Sequence, residues 1–101
     1  MNALVSIITP SFNSAKFIAE TIQSVQNQTY QNWEMIIVDD GSSDETENVV
    51  LSIIEKDNRI KFHKLNQNSG PAVARNTGIE KASGDYMTFI DADDIWFPTF
   101  I

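Results

Sequence analysis

Trp33-Glu34-Met35-Ile36-Ile37-Val38-Asp39-Asp40-Gly41-Ser42 is the stretch on which the reading of this chain turns. Residues 33–38 are β-branched and aromatic enough to predict a strand, and Asp39-Asp40-Gly41-Ser42 supplies the turn chemistry that ends it. Ser42 with Glu45 three residues later makes a capping box. The helix it opens carries Val49, Val50, Ile53 and Ile54 on one face. Upstream, residues 4–8 predict a first strand stopped by Thr9-Pro10. Asn13 or Ser14 then caps a helix with Phe17, Ile18, Ile22 and Val25 at helical spacing, fading near Gln28-Thr29. Downstream, residues 59–64 alternate Ile60 and Phe62 with polar neighbours, as a half-exposed strand does. Gly70-Pro71 opens a third helix with Val73, Ala74 and Ile79 inward, and Gly84 closes that segment. Residues 86–90 predict a fourth strand that runs straight into Asp91-Ala92-Asp93-Asp94. Three strand–helix–strand units predict an α/β Rossmann-like sheet of parallel strands with right-handed crossovers.

Composition narrows the classes. The chain has 101 residues, 14 acidic against 7 basic, a formal net charge of −7 and no cysteine. That length allows at most one domain. A sequence 42% hydrophobic and 21% charged, with only 4 Gly and 3 Pro, is globular and not disordered. The absence of cysteine excludes a disulfide scaffold and a thiolate metal site. An acidic pI near 4.4 argues against nucleic acid as a partner. No apolar run reaches membrane-span length, and residues 1–10 lack the basic region of a signal peptide.

Ligands of open parallel sheets bind beyond the carboxyl ends of the strands, near the point where strand order reverses. On that edge the sequence puts Thr9-Pro10-Ser11, Asp39-Asp40 and Asp91-Ala92-Asp93-Asp94. Five carboxylates on one rim call for a hard divalent cation, Mg2+ or Mn2+, finished by substrate phosphates and water. Asp39 and Asp91 can instead accept from a base N–H or ribose hydroxyls. As turn residues alone they would have no ligand role.

Four segments in register carry a resemblance. They are residues 5–13 with Gln28-Thr29-Tyr30; residues 37–44; Asn68-Ser69-Gly70-Pro71-Ala72 with Ala74-Arg75-Asn76 and Gly78-Ile79; and Gly84-Asp85-Tyr86 through Asp94. Together they resemble the opening of a family-2 glycosyltransferase of the GT-A fold, over about residues 4–97. The resemblance implies a site for a nucleotide-diphosphate sugar, a UDP-sugar first among them. Thr9, Pro10 and Phe12 would line the base pocket, and Asp39 would accept from the base. Asp91 and Ala92 would face the ribose or sugar, and Asp93 would reach the metal, as the second acid of the family's Asp-x-Asp motif. Arg75 and Lys64 are candidates for charge near the diphosphate; Arg75 fixes the neighbouring acids on an equal reading. Asp40 and Asp94 are read as ordering turns, His63 as solvated, and Trp96, Phe97 and Phe100 as core or interface.

Inverting transfer also needs a general base for the acceptor hydroxyl, and the resembled family carries it downstream of Asp94. Residues 1–101 are therefore expected to be one partial domain, truncated after the fourth strand, that binds donor and metal without transferring sugar. Strand four or strand one would keep an unpaired edge and promote a homodimer. The parent enzyme would act in polysaccharide or cell-envelope glycan synthesis on a glycan or lipid-linked acceptor, in the cytoplasm or at the inner membrane face. The alternative is a nucleotide-sugar-binding or structural fragment that never catalyses. A dehalogenase-type phosphotransferase or a receiver module would put its acids after strand one. A dinucleotide-binding protein would need Gly-x-Gly-x-x-Gly there.

Overall fold

The protein is described by a computed structural model over residues 3–101. In chain order it forms β1 (Val5–Ser11), α1 (Ile18–Gln26), β2 (Trp33–Asp39), α2 (Thr46–Ile54), β3 (Ile60–Lys64), α3 (Pro71–Lys81) and β4 (Tyr86–Phe89). The strands lie in the order β3-β2-β1-β4, and every neighbouring pair is parallel. Strand order therefore reverses between β1 and β4.

Every residue of β2 is buried, so both of its faces must be covered. Trp33, Met35 and Ile37 join Ile7, Ile60, Ile18, Ile22 and Val25 of α1, and Val50 of α2 in the larger core. Ile36 and Val38 meet Ala74 of α3 in a smaller one. Helices thus cover both faces, as the alternation of strands and helices predicts.

Several local expectations are corrected. Proline does not stop β1, which continues through Thr9 and Pro10 to pair Ser11 with Asp39. Even-numbered residues of β1 turn their backbone groups toward β4, as the Ile90 N–H donating to Ile8 O shows. The β1–β4 ladder ends at Ile8 and Phe89, so Pro10 lacks a donor only where no ladder bond is formed. The Ser42–Glu45 capping box does not form, because Ser42 bonds Asp39 and the helix begins at Thr46. Asp44 accepts from the Thr46 N–H instead. Neither Asn13 nor Ser14 caps α1 with its side chain, and Phe17 before it is half exposed. In α3, Val73 and Ile79 are exposed, and Ala74 and Gly78 are the buried residues. A Cβ on Gly78 would lie 2.5 Å from Ile8 Cγ2, so the helix needs a small residue to come this close. Of the two strands expected to keep an open edge, β4 does and β1 is interior; Tyr86, Met87 and Phe89 of β4 are exposed.

At the amino-terminal edge of the sheet a buried carboxylate ties four segments together. Glu34 accepts from the Ser6 hydroxyl (2.6 Å), the Lys61 ammonium (2.6 Å) and the Ser83 N–H (2.7 Å). The Gly84 N–H donates to Ser6 Oγ at 2.8 Å. Burial pushes the Glu34 carboxyl up, but the donors from Lys61, Ser6 and Ser83 outweigh it and bring it down to about 2. Nearby, Arg59 lies 3.9 Å from the centre of the Trp33 ring and pairs with Asp57 at 2.9 Å. That guanidinium overcomes burial and holds Asp57 at about 2.

A carboxyl depressed in the folded state stabilises fully above its unfolded value and loses that stabilisation as pH falls through the folded one. For Glu34 the window runs from 4.5 down to about 2. Glu34→Gln is expected to cost about 2 kcal/mol at neutral pH, the scale of a hydrogen-bonded charge. Urea unfolding across that window should show a shallower pH slope in the variant than in the parent. Equal slopes would contradict the assignment.

Candidate functional site

The carboxyl edge of the sheet is organised by polar loops that bond one another. The Asn13 N–H donates to Ser42 Oγ (2.7 Å), and the Ser43 N–H donates to Asn13 Oδ1 (2.9 Å). The Ser14 N–H donates to Thr46 Oγ1 (2.9 Å), and the Ala15 N–H to Asp44 Oδ2 (3.2 Å). The Thr46 hydroxyl donates to Asp44 and, with backbone N–H groups, holds its carboxyl below the usual range. The β1–α1 and β2–α2 loops therefore form one joined rim.

The two acids that end β2 sit inside this rim. Asp39 is fully buried and accepts from the Ser42 N–H (2.9 Å) and the Ser42 hydroxyl. Asp40, also buried, reaches across to accept from the Ser69 N–H (2.7 Å) and the Gly70 N–H (2.9 Å). The crossing is tight. Gly41 has φ +79°, and a Cβ there would lie 3.2 Å from the Asn68 backbone nitrogen. Asp40 thus fixes the approach to α3, with Gly70 before its first residue and Pro71 at its start.

Between these loops opens a cleft of about 270 Å³. Pro10, Ser11 and Phe12 line it from β1, and Asp40, Asn68, Gly70, Pro71 and Ala74 from the other side. Its volume suits one flat ring system and not a whole nucleotide sugar. Phe12 is 48% exposed, leaving ring surface free for stacking. Thr9 Oγ1 and Ser11 Oγ are buried with no hydrogen-bond partner among the described residues, an unusual state for hydroxyls at the end of a strand.

The other half of the edge follows β4. The Asp94 N–H donates to Asp91 O at 3.0 Å, closing residues 91–94 into a turn. Ala92 is buried and its carbonyl accepts from the Thr21 hydroxyl at 2.9 Å. Asp91, Asp93 and Asp94 are exposed, and none of their carboxylates has a hydrogen bond among the described residues.

The expected site residues therefore divide. Pro10 and Phe12 meet in the cleft; Thr9 is fully buried and does not line it; Asp39 is enclosed by Ser42 and does not line it either. Arg75 is exposed on α3 and makes no ion pair among the described residues, so it does not fix the neighbouring acids there. Lys64 pairs with Glu47 at 3.0 Å, and His63 is half-buried on β3. Asp40, Ser11 and Asn68 line the cleft without having been singled out as binding residues. Asn68 lay within a quoted motif, but no pattern distinguishes Asp40 as lining from Asp39 as enclosed.

Among the described residues no three His, Cys, Asp or Glu side chains gather in a way that holds a metal by themselves. Asp91 and Asp93 are nevertheless free oxygen donors. That set fits Mg2+ or Mn2+, which take one or two protein carboxylates and complete their shell with phosphate and water.

Residues 6–101 match the model of Glycosyl transferase family 2. The chain belongs to that family. Among relatives of this family-2 chain, the putative teichuronic acid biosynthesis glycosyltransferase TuaG of Bacillus subtilis is 48% identical over 93 residues, 92% of this chain and 37% of TuaG. The structure of S. aureus TarS 1-349 in complex with UDP superposes with a TM-score of 0.87 at 32% identity, covering 94% of this chain and 29% of that one. The mannosyltransferase PcManGT of Pyrobaculum calidifontis, in complex with GDP-Man and Mn2+, gives 0.86 at 29% identity, covering 91% and 28%. The fold is thus the GT-A type, and the family-2 chain spans between 14% and 37% of the length of the relatives it matches.

Asp40→Asn is expected to destabilise the chain by about 1–2 kcal/mol through weakened acceptance from the Ser69 and Gly70 N–H groups. Amide exchange at Ser69 and Gly70 should accelerate while that of β2 does not. Unchanged exchange there would show that Asp40 does not order the approach to α3.

Proposed function

We propose that this chain is the donor-binding portion of an inverting glycosyltransferase that uses a nucleotide-diphosphate sugar, a UDP-sugar first among candidates. The observation that carries this is one edge of the sheet, at the reversal of strand order. There a ring-sized cleft under Phe12 lies on the same edge as the uncommitted carboxylates of Asp91 and Asp93. Pro10, Ser11, Phe12 and Asp40 hold the base; Thr9 and Asp39 are buried beside it at the ends of β1 and β2. Asp91 faces the ribose or sugar, the Ala92 backbone holds the turn between the acids, and Arg75 meets the diphosphate. Asp93 holds Mn2+ or Mg2+, which when bound neutralises charge developing on the departing nucleoside diphosphate. UDP on TarS, and GDP-Man with Mn2+ on PcManGT, support this ligand class.

In the transfer, an acceptor hydroxyl forms a bond to the anomeric carbon as the bond to the diphosphate oxygen breaks. Its proton passes to a general base. We assign no described residue to that base, and the role we propose for residues 1–101 is donor binding. The acceptor is a glycan or lipid-linked sugar of the cell envelope, reached from the cytoplasm at the inner membrane face; the teichuronic acid biosynthesis of TuaG supports an envelope glycan. No helix among the described residues is long and apolar enough to cross a membrane. Two copies associate through the outer edge of β4, where Tyr86, Met87 and Phe89 are exposed. A single monomeric species in sedimentation at high concentration would exclude that association.

Calorimetric titration with UDP, GDP and dTDP, with and without Mn2+, tests the site. Metal-dependent binding that falls at least about tenfold in Asp93→Ala is the expected result. A fold-intact chain that binds none of the three is instead a structural fragment.

A further inference from the structure

The inner face of α1 carries polar side chains where burial alone would favour apolar ones. Thr21 is fully buried, Ser24 nearly so, and Gln28 just past the helix is 2% exposed. All three bond the segment that follows β4. The Thr21 hydroxyl donates to Ala92 O (2.9 Å), and Ser24 Oγ accepts from the Trp96 N–H (3.1 Å). Gln28 uses both ends of its amide: Nε2 donates to Phe97 O (2.6 Å), and Oε1 accepts from the Ile101 N–H (3.0 Å). The Thr29 N–H donates to Pro98 O at 2.8 Å. Residues 92–101 are thereby strapped along one helix.

The first of these bonds has a geometric consequence. The Ala92 carbonyl and the Asp93 nitrogen belong to one planar peptide unit. Fixing that carbonyl fixes the plane from which the Asp93 side chain departs. The Asp93 carboxylate has no hydrogen bond among the described residues, so the peptide plane held through Thr21 is the constraint on where it departs. We infer that Thr21 is a positioning residue for Asp93, and that Ser24 and Gln28 hold the strap that keeps the turn at residues 91–94 in place. The inference rests on the donor-site reading for its consequence, but the ordering of the turn is measurable without ligand.

The experiment compares the parent chain with Thr21→Val, which keeps shape and loses the donor, and Thr21→Ser, which keeps the donor. UDP affinity is measured with and without Mn2+, and amide exchange is followed at Asp94 and Trp96 against Ile36 and Val38. The loss of one buried hydrogen bond predicts a roughly fivefold fall in the Mn2+-dependent gain in affinity for Thr21→Val, with metal-free affinity unchanged. It also predicts roughly fivefold faster exchange at Asp94 with β2 unaffected. Thr21→Ser should restore both. If Mn2+ brings no gain even to the parent, the donor-site reading fails; exchange alone then decides, and unchanged rates at Asp94 in Thr21→Val overturn the positioning role. A parent that gains from Mn2+ and a Thr21→Val chain that gains equally would also overturn it.

Discussion

Two carboxylates at the end of a completely buried strand constrain everything above the sheet. Asp39 and Asp40 leave β2 with almost no exposed surface, and polar groups so placed must find donors. Asp39 finds them in Ser42 of its own loop, and Asp40 in Ser69 and Gly70 of the loop before α3. The β2–α2 and β3–α3 loops are therefore drawn toward one another, and Asn13 then draws in the β1–α1 loop through Ser42 and Ser43. The cleft under Phe12 is the space left between loops that have already satisfied one another.

The acidic side chains divide by the work they do. Glu34 and Asp57 consolidate the opposite edge, each depressed to about 2 by hydrogen bonds from cationic and neutral donors. Asp44, Asp39 and Asp40 are engaged in building the rim. Asp91, Asp93 and Asp94 remain exposed, their carboxylates without partners among the described residues. Stability resides in satisfied acids, and ligand chemistry falls to the unsatisfied ones, where charge can develop or be neutralised without unmaking the fold.

The strands were legible because β-branched runs ended by turn residues leave little choice of element. The sheet edge that matters followed from the alternation of strands and helices. Details that depend on tertiary partners were not legible. Proline at position 10 reads locally as a stop, yet it is harmless where the β4 ladder has already ended. Ser42 and Glu45 have the spacing of a cap, but Asp39 is a better partner for Ser42. In α3 the apolar residues Val73 and Ile79 look like the buried stripe, whereas close approach to Ile8 selects Gly78. Of the paired acids after β2, sequence marked Asp39 for the base, while the cleft is lined by Asp40. Thr21 and Ser24 gave no signal, and Gln28 none beyond its place in Gln28-Thr29-Tyr30, since their partners lie about 70 residues away along the chain.

The central claim is that donor and metal meet at the carboxyl edge between β1 and β4. Paramagnetic relaxation from Mn2+ added with UDP reports distance to the metal directly. The account predicts that amide signals of residues 91–94 broaden first, followed by those around Phe12 and Asp40, with Glu34 and Ser83 at the opposite edge unaffected. Broadening centred on any other acidic group, or spread evenly over the surface, would contradict it.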